Sequence, residues 1–294
     1  MRKLCIGLCC FLAAGMLSGC AGKKPAGSAP PPGGTPVPAT PTPTPRPIKD
    51  PEGGTVSARF NPPPGYARTP LEDNSFGAYL RSLPLKADGE PVLLMDGTER
   101  PDAPQAAVLS ISMCNKNQQG PRALVRLRAE YLFQTGQAGR ITYHFFSEFV
   151  FPFTKWCEGY RVNVDGRNVE WEKKAGPSGD HDALLSYLNI LFAYSNAASL
   201  KKELQPATDM QPGDVFINDK SVMIADMAVN TAGETVFLLL QSPAPTQEIY
   251  ILKNDNNPAL SPWYSASELS PLVTPEGEFT LADLGRFDEQ VNSE

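Results

Sequence analysis

Between Pro25 and Pro51 the chain carries eleven prolines among glycine, alanine, serine and threonine, and this run decides where a fold can form. Proline removes a backbone donor and fixes φ, and the small neighbours supply little apolar surface, so the segment cannot build a core. It reads as an extended, polyproline-type tether reaching up to about 80 Å at roughly 3 Å per residue. Whatever folds must come from residues 55–294, roughly 240 positions, which suits one domain with insertions. No internal repeat and no second linker rich in glycine or serine divides that stretch.

Residues 1–19 read as a targeting signal. Arg2 and Lys3 give a charged start, Leu4 to Leu17 an apolar run too short to span a bilayer, and Leu17-Ser18-Gly19-Cys20 closes it. That ending resembles the lipobox of bacterial lipoproteins. The resemblance implies that cleavage leaves Cys20 as the new N-terminus carrying a diacylglycerol, with residues 20–54 as a lipidated tether. A single acyl chain binds membranes only marginally, so two chains are what stable anchoring requires. The expected location is the extracytoplasmic face of a cell membrane, on the surface of a Gram-positive cell or beyond an inner membrane.

Losing residues 1–19 removes two basic residues and no acid, so the 26 Lys and Arg become 24 against 32 Asp and Glu, a net charge of −8. Such a chain is repelled by nucleic acid, and no basic stripe argues otherwise. Three cysteines leave with the signal and Cys20 is the lipid site, so Cys114 and Cys157 remain. Outside the cytoplasm they can pair or stay as buried thiols, and the sequence leaves both open.

Apolar periodicity and breakers predict a mixed α+β order. Helices are expected at Ser75–Leu83, from Pro121 onward, at His181–Tyr194 and at Ser199–Leu204. In the second of these Leu124, Leu127 and Tyr131 form the apolar stripe, with Arg126 and Glu130 on the wetter side. Strands are expected at Val92–Met95, Ala106–Met113 and Ile141–Phe149, followed by a closing meander of Val215–Ile217, Val222–Val229, Thr235–Gln241 and Glu248–Lys253.

The runs RFNPPPGYAR, SFGAYLRSLPL, RLRAEYLF, GDVFI, VMIADMA, VFLLLQSPAPTQEIYILKN and SPWY resemble the domain-of-unknown-function 4846 family of secreted bacterial proteins. They cover nearly all of Arg59 to Tyr264. The resemblance implies no activity of its own. The order of elements is also similar to that of papain-like, NlpC-type cell-wall peptidases. That likeness implies a single domain in which a helix packs on the late antiparallel sheet, with a thiol at the helix start and a histidine opening a strand. A helix N-terminus lowers a thiol's pKa and cradles an oxyanion, and the histidine serves as general base.

At both positions this chain departs from what the resemblance implies. Gln-Cys-Ala-Asp is expected before RLRAEYL, but the chain reads Gln119-Gly120-Pro121-Arg122. Gly-His-Ala-Val is expected before the acid-bearing strand, but the chain reads Asp219-Lys220-Ser221-Val222. Gly120 and Lys220 therefore mark a degenerate site, and no catalytic residue is expected there. Cys114, Cys157, His144 and His181 have ordinary structural readings, and two histidines leave no zinc motif or cofactor signature. Lys220 and Ser221 are adjacent, and on a strand they would point to opposite faces.

Candidate cleft residues are Gln118, Gln119, Asp226, Gln241, Trp156, Trp263 and Tyr264, polar and aromatic types that suit peptide or sugar. Two functions are in view. One is a non-catalytic surface lipoprotein binding a cell-wall peptide or glycan or an envelope protein. The other is a cell-wall hydrolase with a non-standard constellation.

Overall fold

The computed structural model describes residues 46–288; the signal, Cys20 and the tether up to Pro45 lie outside the described residues. The described part begins with a one-turn helix α1 (Val56–Arg59), capped by the Thr55 hydroxyl, and an edge strand β1 (Tyr66–Arg68). Helix α2 (Phe76–Ser82) starts at Ser75, whose hydroxyl accepts from the Ala78 amide and satisfies a donor with no partner inside the helix. The short hairpin of β2 (Val92–Leu93) and β3 (Glu99–Arg100) turns through Asp96-Gly97. Strand β4 (Gln105–Val108) is shorter than the expected Ala106–Met113. Past Leu109 the chain leaves the sheet, because the Ser110 amide donates to Pro84 and the Ser112 carbonyl is taken by Arg126.

Helix α3 (Pro121–Gln134) buries Leu124, Leu127 and Tyr131 as expected. Its charged pair corrects the sequence reading. Arg126 and Glu130 are not on a wet face; both are buried, 3.4 Å apart. Buried charges persist only when paired and hydrogen-bonded, and here Gln118 accepts from Arg126 while His181 lies 2.9 Å from Glu130.

The expected strand Ile141–Phe149 is instead a hairpin of β5 (Thr142–His144) and β6 (Val150–Pro152), with Glu148 at φ 67° in the turn. Helix α4 (Phe153–Cys157) leads into a second hairpin, β7 (Tyr160–Asp165) and β8 (Asn168–Lys173). Helix α5 (His181–Tyr194) has the expected limits, opened by the Asp180 carboxylate capping the Ala183 amide; α6 (Ala197–Lys201) follows.

The remaining chain is β9 (Leu204–Pro206), β10 (Val215–Ile217), β11 (Ser221–Asn230), β12 (Thr235–Gln241), β13 (Tyr250–Leu252) and β14 (Tyr264–Ser265). It ends with a hairpin of β15 (Leu272–Thr274) and β16 (Gly277–Phe279), then β17 (Leu284–Phe287). Nine strands make one antiparallel sheet in the order β4-β13-β12-β11-β10-β17-β9, with β1 also on β11 and β14 on β12.

An antiparallel sheet often leaves one face wet, but β11 and β12 are buried on both. On one side Met223, Leu238 and Leu240 share a core with Leu124, Leu127, Tyr187 and Leu188 of α3 and α5. On the other, Val222, Ile224, Phe237 and Leu239 are covered by Leu272 and Phe279 of the β15/β16 hairpin. This double burial is why VMIADMAV and VFLLL read as nearly unbroken apolar runs.

A bulge between Ile224 and Asp226 shifts the alternation: Val222 and Ile224 face the second core before it, and Met227 does so after it. The described part is therefore an α+β domain on a large antiparallel sheet, with α3 packed against the central strand β11.

A candidate binding cavity at the start of the long helix

The first turn of α3 lies beside the entry to β11, and the two enclose a cavity of about 220 Å3. Of the residues singled out from sequence, it gathers Gln119, Gly120, Lys220 and Gln241. Gly120 is the N-cap of α3 with φ 56° and ψ −134°, and its amide donates to the Ser242 carbonyl at 2.6 Å, tying the helix start to the end of β12. Pro121 takes the first helical position, where a missing N–H costs nothing. A Cβ at position 120 would meet only Ser221 Oγ, at 4.0 Å, so there is room for a side chain. The backbone angles are what exclude one: they fall in a region that glycine alone visits freely.

Lys220 precedes β11 in a turn, where its amide donates to Asn218 Oδ1 at 2.9 Å. Strand alternation therefore does not separate it from Ser221, and both line the cavity. That corrects the expectation that they point to opposite faces. Ser221 is 7% exposed and its hydroxyl has no hydrogen-bond partner among the described residues. An unmet buried hydroxyl costs about 1–3 kcal/mol, so native structures contain few of them.

The Arg122 guanidinium donates to the Ser195 carbonyl, while its Nε is buried without a partner among the described residues. Burial lowers the pKa of that guanidinium. Lys220 makes no ion pair among the described residues.

Gln119 Oε1 accepts from the Thr246 hydroxyl at 3.2 Å. Gln241 is buried and donates to the Tyr250 phenol at 2.7 Å; burial pushes that phenol's pKa up to about 12. Two acids also line the cavity, Asp219 and Glu276, the latter held by Arg100 at 2.9 Å. Among the described residues no nucleophile and base are hydrogen-bonded there: the Ser221 hydroxyl bonds nothing, and the histidines sit elsewhere, His144 against Glu203 at 3.1 Å and His181 against Glu130.

The other candidates are placed in the core rather than in a cleft. Gln118 is buried and accepts from the Cys114 amide at 3.0 Å. Asp226 is fully buried between Arg68, at 2.7 Å, and Arg81. Trp156 packs on Phe151 and Tyr187 beneath the Arg161 guanidinium, which is 3.9 Å from its ring centre. Trp263 donates to the Asn61 carbonyl at 2.9 Å, and Tyr264 donates to the Lys253 carbonyl and stacks on Phe237. Residue type suggested ligand contacts, but these aromatic faces are spent on core packing, which dominates the use of large rings.

Cys114 and Cys157 are free thiols, and burial raises the pKa of each. Among the described residues no three His, Cys, Asp or Glu side chains gather to hold a metal ion.

Sequence reasoning missed Arg122, Ser195 and Ser221 as members of the cavity region. The one available signal was Ser221 directly after Lys220, and the strand argument had set it aside. The family described as domain of unknown function (4846) matches residues 56–286, from α1 into β17. The chain belongs to that family. No curated protein and no solved structure matches it.

Proposed function

We propose that this chain is a lipid-anchored, extracytoplasmic bacterial protein whose domain has a papain-like arrangement and binds a cell-wall-derived ligand or an envelope partner without cleaving it. The observation that carries the reading is the backbone of Gly120. It stands at the head of α3 facing Lys220 and Ser221, in a conformation that disfavours a thiol, and no base is hydrogen-bonded to the nearest hydroxyl. A helix start, a cavity and a flanking strand support the reading, and among the described residues no nucleophile in the cavity is hydrogen-bonded to a base. The test is to incubate purified protein with peptidoglycan sacculi. Co-sedimentation with no release of peptide or glycan is expected; steady release would overturn the reading.

A second reading, hydrolysis by a non-standard constellation, is favoured by one observation. Ser221 carries an unpartnered hydroxyl beside Lys220 on the same cavity wall. It requires that release of wall fragments occur and be abolished by Ser221→Ala.

A further inference from the structure

We propose that the cavity at the N-terminus of α3 is a carboxylate pocket that takes the C-terminal end of a peptide. The inference rests on reading this cavity as a binding site rather than a catalytic one, and it names the chemical class of the ligand.

Three donors in this cavity are left without partners. Among the described residues the buried Ser221 O–H and the buried Arg122 Nε–H have no partner, and Lys220 is an ammonium in no ion pair. Pro121 offers no N–H, and the Gly120 and Ala123 amides already donate to the Ser242 and Gly120 carbonyls, so what the start of this 14-residue helix adds is mainly its partial positive charge. Unpaired donors and positive charge are the complement of a carboxylate, and a helix start favours negative charge. An anion beside Arg122 would also stabilise the guanidinium charge that burial disfavours.

Size and wall chemistry narrow the ligand. A cavity of about 220 Å3 is below the roughly 300–1,000 Å3 of sites that engulf a whole small molecule, so it suits the end of a chain. Its apolar wall is Pro121, Ala197, Pro243 and Ala244, which suits a terminal residue with a small side chain. Asp219 and Glu276 also line it and disfavour a second negative charge, which sets a monoanionic carboxylate above a phosphate. Glu276 is already held by Arg100, and Asp219 is exposed.

The test uses the full-length protein in detergent, with calorimetric titration of N-acetyl-alanyl-alanine in its D,D and L,L forms, the corresponding C-terminal amides, and inorganic phosphate. One stereoisomer of the free acid is expected to bind at least about tenfold more tightly than its amide. Ser221→Ala and Lys220→Ala should each weaken the acid about tenfold and leave the amide nearly unchanged. Ser221→Ala removes a hydroxyl that bonds nothing, so its thermal midpoint should not fall, and lost binding cannot then be assigned to unfolding.

Equal binding of acid and amide, no binding of the acid, or tighter binding of phosphate would overturn the proposal. A parallel sedimentation with sacculi separates the two claims. Sacculus binding retained by a protein indifferent to the acid would remove the carboxylate assignment and leave the wall-binding reading standing. Acid binding without sacculus binding would do the reverse.

Discussion

At position 120 the backbone angles, rather than the volume, decide which side chain can stand there. Gly120→Ala is expected to lower stability by about 1–3 kcal/mol, because a Cβ is forced into a region that L-residues avoid although its only near neighbour is Ser221 Oγ at 4.0 Å. Chemical denaturation would measure it, and an unchanged midpoint would show that the angles relax without penalty. Gly120→Cys should carry the same penalty and still give a thiol that iodoacetamide modifies faster than Cys114 or Cys157. Burial raises the pKa of those two, whereas a helix start favours the thiolate. Turnover would require Lys220→His as well, since a lysine ammonium has no lone pair with which to accept a proton.

Asp226 makes the opposite case, a charge that looks like site chemistry and is structural. Asp226→Ala would leave Arg68 and Arg81 facing an empty buried position, and truncating one member of a buried ion pair costs about 3–5 kcal/mol.

Among the elements, the link between β5 and the end of α6 is set by one titratable contact. The His144 amide and ring both meet the Glu203 carboxylate, and the hydrogen bond to Glu203 raises the imidazole's pKa. A raised folded-state pKa means the contribution is fully present below the ordinary histidine range and is lost as pH rises through the folded value. The protection factors of the Thr142–His144 amides, with intrinsic base-catalysed exchange divided out, should therefore fall from acidic to mildly alkaline pH, and Glu203→Gln should flatten that trend. A flat profile in the unmodified protein would show that the pair does not hold the hairpin.

Elements with local punctuation were legible in the sequence. Helix α5 has Asp180 as its cap, and β12 is bounded by Gly233 and the Pro243/Pro245 pair, so their limits match the expectations. Where partners come from far along the chain, the sequence was silent. The Arg126–Glu130 pair is buried only because Gln118 and His181 reach it. The sheet gains β1, β9 and β17 from segments that carry no strong strand pattern. For the site, the likeness to a known order of elements drew attention to Gly120 and Lys220. The unpartnered hydroxyl of Ser221 and the burial of Trp263 and Tyr264 depend on three-dimensional neighbours that a linear pattern does not encode.

For the whole molecule, charge and composition bear on the proposed attachment to a membrane. If residues 1–19 are removed, 24 basic residues stand against 32 acidic ones, so anionic headgroups would repel the chain and electrostatics would not supply the proposed attachment. No helix among the described residues is long and apolar enough to cross a membrane. If Cys20 carries two acyl chains, each buried methylene contributes about 0.8 kcal/mol, so attachment should resist salt and yield to detergent. A wash in 1 M salt is expected to leave the protein in the membrane pellet, and a mild detergent to extract it. Cys20→Ala should move it to the soluble fraction and abolish incorporation of labelled palmitate. Persistent labelling in that variant would place the lipid elsewhere, and the eleven-proline run would then lose its reading as a spacer between bilayer and binding cavity.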